Sequence, residues 1–158
     1  MMPSQFEINR TALTDYLDSR GLRYLKVVER RNLAIYAYKA DVSGTIGSIN
    51  MFLDVGCDYI RCIGSARVNV GEDMRPAVTE YLTRVNYGLD IGTFEMGYAD
   101  GNVDCRCILF CANGHPSRED VGRVVNIPSE LFSVYGDGLL KVGTGTLDPA
   151  SAFAETEG

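Results

Sequence analysis

Residues 46–68 read IGSINMFLDVGCDYIRCIGSARV, a stretch that predicts two strands about one turn. Ile49, Met51, Leu53 and Val55 alternate with Asn50, Phe52 and Asp54. Successive side chains of a strand point to opposite faces, so a period of two predicts a strand with one buried side. Gly56-Cys57-Asp58 closes it. Tyr59–Val68 then puts Ile60, Cys62, Gly64, Ala66 and Val68 on one face. So short a connection joins antiparallel neighbours, because a parallel crossover needs about a dozen residues or more.

The same chemistry extends towards the N-terminus. Tyr24–Glu29 is rich in β-formers, Arg31-Asn32 makes a turn, and Leu33–Val42 is dense in Ile, Tyr and Val although it alternates poorly. Ser43-Gly44 turns the chain into the quoted stretch. Before the strands, Phe6, Leu13, Tyr16 and Leu17 share a helical face, with the helix core over residues 12–20 and its start near Ser4 or near Thr11. Gly21 supplies the left-handed residue that stops a helix, and Leu22 folds back onto the last turn.

Towards the C-terminus a second helix is predicted from about Asp73, as its cap, to Tyr87. Pro76 is tolerable there because first-turn amides lack helical partners. Val78, Tyr81, Leu82 and Val85 form its apolar stripe, and Gly88-Leu89 repeats the glycine stop. Thr93–Tyr98 and Val103–Cys111 read as strands joined by an Asp100-Gly101 hairpin turn with positive φ at both central residues. Ser117 with Asp120 marks the start of a third helix carrying Val121, Val124 and Val125. Pro128 is expected to break or kink it, with Ser129–Val142 as a second helical piece ended by Gly143–Gly145. Asp148-Pro149 opens a short helix over Ala150–Glu155. Helices and strands do not alternate one for one, which predicts an α+β fold: an antiparallel sheet of about six strands with helices packed on one face. Residues 1–145 make one domain and 146–158 an acidic C-terminal tail.

Composition bounds the function. The 158 residues are 46% hydrophobic and 23% charged, which excludes a disordered tail, a collagen-like fibre and a rod. The net charge of −6 argues against a sequence-independent nucleic-acid binder, since neutralising phosphates needs clustered Lys and Arg. Residues 1–42 do sum to +2, but Arg20, Arg23, Lys26, Arg30 and Arg31 come with no stacking platform and read as a solvated surface. No apolar run approaches the ~20 residues of a membrane span, and no charged-then-apolar leader opens the chain, so the expected compartment is the cytoplasm.

Five cysteines, an odd number, argue against a closed disulfide framework. Cys105, Cys107, Cys111 and His115 have a spacing that invites a metal reading. Structural zinc sites, however, pair cysteines at tight knuckles, whereas Cys105 and Cys107 share strand parity with Val103 and Leu109. Buried, reduced, metal-free core thiols at Cys62, Cys105 and Cys107 are the expectation. His115 is the only histidine, and nothing marks an orienting carboxylate for it. Asp100, Asn102 and Asp104 start like a calcium loop, but the sixth and twelfth positions are Cys105 and Cys111 instead of Gly and Glu. Asn9-Arg10-Thr11 is a glycosylation triplet without a secretion signal. No phosphate-binding glycine motif is present. No catalytic residue, cofactor or metal ligand is therefore assigned.

The strand parity itself gives one candidate site. If the helices cover the face of Met51, Leu53, Met96 and Cys107, then Phe52, Ile63, Ile108 and Phe110 lie on the opposite face. An outward apolar patch on a sheet marks a partner or a second subunit. Scattered exposure and cover by the C-terminal segment around Phe153 are the alternatives.

The run from Asn86 to Arg106, NYGLDIGTFEMGYADGNVDCR, resembles the bacterial YbjN-type family of sensory transduction regulators. There a helix ending in Asn leads to Gly-x-Phe-Glu, a strand, an Asp-Gly hairpin and a strand bearing Arg. Asn86, Gly92, Phe94, Glu95, Asp100, Gly101, Val103 and Arg106 stand at those places, and the similarity in element order spans residues 12–142. Pro128 and the cysteines depart from the pattern. The resemblance implies a fold similar to type III secretion chaperones, a small acidic protein that is often a homodimer and binds polypeptide, with no catalytic residues to carry over. The resulting expectation is a non-enzymatic, protein-binding regulator or chaperone-like module of a bacterial cytoplasm. The alternative is a small-molecule or metal-binding sensor using the cysteines and His115.

Overall fold

Six strands and four helices follow one another in a computed structural model that describes residues 1–157. Helix α1 (Gln5–Ser19) starts at Ser4, the earlier of the two expected sites. Ser4 Oγ accepts from the Glu7 amide and the Glu7 carboxylate accepts from the Ser4 amide, so two orphan donors of the first turn are satisfied together. The first turn's own bonds lower the Glu7 pKa from its usual value. At the other end Gly21 takes φ +67°, and the Leu22 amide returns to the Leu17 carbonyl at 3.1 Å. Asn9 is fully buried. Its Nδ2 donates to the carbonyls of Gly56, Cys57 and Cys111, which pins α1 to the sheet and shuts the acceptor amide of the glycosylation triplet away from solvent.

Strands β1 (Leu25–Arg30), β2 (Leu33–Asp41), β3 (Ser48–Val55) and β4 (Tyr59–Ser65) form the antiparallel meander. After a 3₁₀ turn, Glu72–Met74, helix α2 (Arg75–Tyr87) leads to β5 (Thr93–Met96) and β6 (Val103–Phe110). The sheet order is β1-β2-β3-β4-β6-β5, antiparallel throughout. The α+β class with one antiparallel six-stranded sheet is thus what forms.

Four local expectations are corrected. Asp73 does not cap α2: the 3₁₀ turn absorbs it, and Met74 stands at the cap with no side-chain bond. Gly88 ends α2 in a right-handed conformation at φ −96°, not a left-handed one. Asp100-Gly101 is not a two-residue turn, since the Gly97 amide bonds the Asn102 carbonyl around a four-residue loop and only Gly101 has positive φ. The Asp100 and Asp104 carboxylates there accept from Asn102, as loop chemistry.

The fourth correction is the largest. Helix α3 (Arg118–Gly143) runs unbroken through Pro128. A proline removes one helical donor and crowds the carbonyl four residues back, at about 3 kcal/mol in an isolated helix. Here the ring is buried where the sheet offers no side chain: a Cβ on Gly64 would stand 3.0 Å from the Pro128 Cβ. The Cys62 thiol donates to the neighbouring Val125 carbonyl at 3.7 Å. Burial outweighs the local penalty, so α3 stays whole. Helix α4 (Pro149–Glu157) then packs on α2 and α3 with Ala152 buried. Gly158, the last residue of the expected tail, lies outside the described residues.

The core lies between the sheet and the helices. Leu13, Met51, Leu53, Ile60, Tyr81 and Phe132 are fully enclosed in it. A second close approach fixes α2 to α3. The Tyr81 hydroxyl donates to the Tyr135 carbonyl at 3.0 Å, and a Cβ on Gly138 would fall 2.2 Å from that oxygen. Gly138→Ala should therefore destabilise by about 1–3 kcal/mol through overpacking, although Ala is the better helix former by about 1 kcal/mol. Gly143→Ala meets only ordinary contacts at 3.9 Å and should be neutral or stabilising. Urea denaturation of the two variants reads the opposite signs.

Candidate functional site

The register of the sheet fixes which side chains face away from the helices. One cross-strand row runs Leu25–Ala37–Phe52–Ile63–Arg106, from β1 to β6. The next runs Val28–Ile35–Asp54–Arg61–Ile108. Tyr59 and Phe110 pair beyond it. Directly opposed side chains on a sheet lie within about 5.5 Å, so each row is a continuous strip.

The strand parity read from the sequence holds on β3, β4 and β6. Met51, Leu53 and Cys62 are fully buried under the helices, whereas Phe52, Ile108 and Phe110 are exposed and Ile63 is half-buried. The four named residues are not one cluster, however. Phe52 and Ile63 are direct partners, but Arg61 stands opposite Ile108 and Tyr59 opposite Phe110. The apolar strip instead continues the other way, through Ala37, Ile35, Val28 and Leu25, and Leu25 is 72% exposed. Sequence reasoning missed this half because β1 carries a register shift between Lys26 and Val28, which reverses its parity. The signal that could have found it is that Leu33, Ile35 and Ala37 alternate with Ala34, Tyr36 and Tyr38, so β2 is apolar on both faces. Phe153 does not cover the strip: it lines a shallow dent of about 440 Å³ with Tyr87 and Gly88 on the α2–α4 side.

At the centre of the face sits an ion pair. Asp54 on β3 and Arg61 on β4 are direct partners, and the Arg61 guanidinium donates to Asp54 Oδ2. Asp54 is 92% buried, and Arg61 leans towards the Tyr59 ring at 5.8 Å. Asp54 Oδ1 and Arg61 Nε are enclosed with no hydrogen-bond partner. The face carries charges of both signs: Lys39, Arg61, Arg106 and, beside Asn50, Arg67 on the basic side, and Asp54, Glu95 and Asp104 on the acidic side, with Arg30 and Asp41 at opposite ends of the β1–β2 hairpin.

The cysteines lie elsewhere. Cys62, Cys105 and Cys107 face α3, with Cys62 and Cys107 as cross-strand partners. Burial pushes the Cys62 thiol well above its usual pKa and the Cys105 thiol up to about 12. His115 is exposed on a loop against α1, in a hollow with Glu7 and Ile8. Among the described residues no three His, Cys, Asp or Glu side chains are placed to hold a metal ion.

The familiar run 86–106 has an architectural job. Asn86 Nδ2 donates to the Phe94 carbonyl while its Oδ1 accepts from the Phe94 amide, each at 2.9 Å, which clamps the end of α2 to β5. Phe94 packs edge-on against Phe132 and Tyr135. Arg106 ties β6 to β5 through Glu95 at 2.7 Å. Comparison of the chain with protein-family models, characterised proteins and solved structures finds no match.

Two outcomes are expected. Phe110→Asp, at a side chain 76% exposed, should change stability by no more than about 0.5 kcal/mol. Leu53→Asp, one strand face away, should abolish cooperative melting, because it buries an unpaired charge; circular-dichroism melts compare them. In native protein an alkylating reagent at pH 8 should modify Cys57 alone, the one exposed thiol. Denaturant should release all five, as counted by intact mass.

Proposed function

We propose that this chain is a non-enzymatic, polypeptide-binding regulator or chaperone-like module of a bacterial cytoplasm, working through its outward sheet face. The observation that carries the reading is the apolar row Leu25–Ala37–Phe52–Ile63, uncovered on a sheet whose helices pack on the opposite face. A strip of this kind is stabilised when another polypeptide removes it from water, at roughly 25 cal/mol per Å² of apolar area. Alternation of apolar side chains with Arg61, Arg106 and Asp54 gives it the mixed character of a recognition surface. The resemblance of residues 86–106 to YbjN-type regulators points to the same class of function. No observation favours the sensor reading: Cys62, Cys105 and Cys107 lie beneath α3, and among the described residues no three His, Cys, Asp or Glu side chains come together.

A photo-reactive phenylalanine analogue at position 52, installed in cells that make the protein, tests the reading. Irradiation should yield a covalent adduct with a polypeptide of one defined mass. The same group at Glu119, on the exposed start of α3, should yield none. No adduct at position 52, or the same adducts from both positions, counts against a working surface on this face.

A further inference from the structure

Half of β6 overhangs its neighbour. Strand β5 pairs only with Val103–Arg106, so Cys107–Phe110 has β4 on one side and no strand on the other. Ladder bonds of an antiparallel pair alternate along each strand. The Ala66 amide donates to the Val103 carbonyl and the Cys111 amide to the Asp58 carbonyl, so the odd-numbered residues of β6 bond towards β4. The Gly97 amide donates to the Asn102 carbonyl, so the even-numbered ones turn towards β5. Past the end of β5, the amides and carbonyls of Ile108 and Phe110 therefore face an open edge. The outer edges of the sheet are protected. Asn86 takes both backbone groups of Phe94 on β5, and the Arg75 guanidinium takes the Tyr98 carbonyl. Strand β1 is bulged and carries Lys26, Glu29 and Arg30, features that deter strand pairing. The run Cys107-Ile108-Leu109-Phe110-Cys111 has no charge, proline, glycine or bulge. An apolar edge left unprotected is a template for another strand. We propose that the slot beside Cys107–Phe110, in line with β5, takes an extended apolar segment of a partner polypeptide flanked by Lys or Arg. The proposal rests on the polypeptide-binding reading above and gives the form and charge of what is bound.

The slot is about 13 Å long, at ~3.3 Å per residue. Thr93 closes one end of it by pairing with Arg106. Towards α3 it opens on a hollow of about 180 Å³ lined by Ile91, Cys107, Leu109, Asp120, Arg123 and Val124. Towards solvent it is flanked by Ile108 and Phe110, both exposed. A strand seated here alternates its side chains between the hollow and that flank. Both are mainly apolar, so the slot selects apolar residues at successive positions. Charge selects what lies on either side of them. The nearby cations are already matched within the chain: Arg61 by Asp54, Arg106 by Glu95, and Arg123 by Glu119 and Asp120. Asp90, exposed beside Ile91, adds a further negative charge. Three cations thus stand against five carboxylates, in a chain of net charge −6. Basic flanks are attracted to such a rim, whereas a second copy of this acidic chain is repelled.

Backbone parity gives the test, on the full chain in cells that make it. A photo-reactive phenylalanine analogue at position 91, which lines the hollow, should capture the same polypeptide as position 52 does. The attached peptide should be an apolar run bounded by Lys or Arg. Ile108→Pro removes a donor that the sheet does not use, and proline is tolerated where an edge amide faces solvent. That variant should keep its native circular dichroism and lower the adduct yield at position 91 at least about tenfold, the effect of losing one hydrogen bond of about 1.4 kcal/mol. Leu109→Pro, one residue along, removes a donor bonded to β4 and should lose cooperative melting. Should Ile108→Pro lose its circular dichroism, Ile108→Lys supplies the same readout, as a charged side chain on the edge that leaves the fold intact. An unchanged yield in a folded Ile108 variant, a Leu109→Pro variant as stable as Ile108→Pro, an attached acidic segment, or an adduct with a second copy of this chain overturns the proposal. Failure of the two readings is distinguishable. An adduct from position 52 with none from position 91 overturns the slot alone. An adduct from position 91 alone supports the slot and overturns the apolar row, and no adduct from either position overturns the binding face as a whole.

Discussion

The seat of α3 on the sheet is the constraint from which the rest of the molecule follows. Pro128 rests where Gly64 leaves a gap in β4, and Gly138 opens a notch for the Tyr81 ring. Each contact needs a residue that is unfavourable in isolation: proline within a helix, glycine within a strand or helix. Together they let backbone approach backbone, and the dispersion and burial gained over a 26-residue helix exceed the local penalties. With α3 so close, Val124 and Val125 are buried over the sheet, and the Cys62 thiol reaches the Val125 carbonyl. The cysteines act there as small apolar side chains.

Because α1, α2 and α3 all pack on one side, the polar clamps lie at the edges of that layer. Asn9 holds α1 to the β3–β4 turn and to the end of β6. Asn86 holds α2 to β5 by a reciprocal pair of bonds to one backbone residue. At Asn86 the amide satisfies a backbone donor and acceptor at once, whereas at Asn9 the amide nitrogen serves three carbonyls and the oxygen accepts from Gln5 Nε2. The run 86–106 thus owes its pattern to building the β5–β6 hairpin and attaching it to α2. A one-sided helix layer leaves the other sheet face open, and that face carries the apolar strip and the central Asp54–Arg61 pair.

An exposed face of this kind has two ordinary fates: polar side chains or a partner. Here apolar and charged side chains share the face, with the Asp54–Arg61 pair at its centre.

Much of this was legible from residues alone. The alternation in 49–55 and 59–64 fixed strand faces, so Met51 and Leu53 could be placed inside and Phe52 outside. The Asn32 turn, the Gly21 stop and the Ser117 cap are local chemistry, decided by backbone φ and by one hydrogen bond each. What sequence could not decide depended on distant contacts. Pro128 reads as a helix breaker until Gly64, some sixty residues earlier in the chain, is seen to receive it. The parity of β1 inverts at a bulge that only pairing with β2 defines, which hid Leu25 and Val28 from the outward strip. The Asp54–Arg61 pair spans a seven-residue separation that becomes contact only when β3 and β4 are in register. Local periodicity reports which way a side chain points. Whether that direction ends in solvent, a helix or an ion pair depends on long-range packing, which no window of sequence contains.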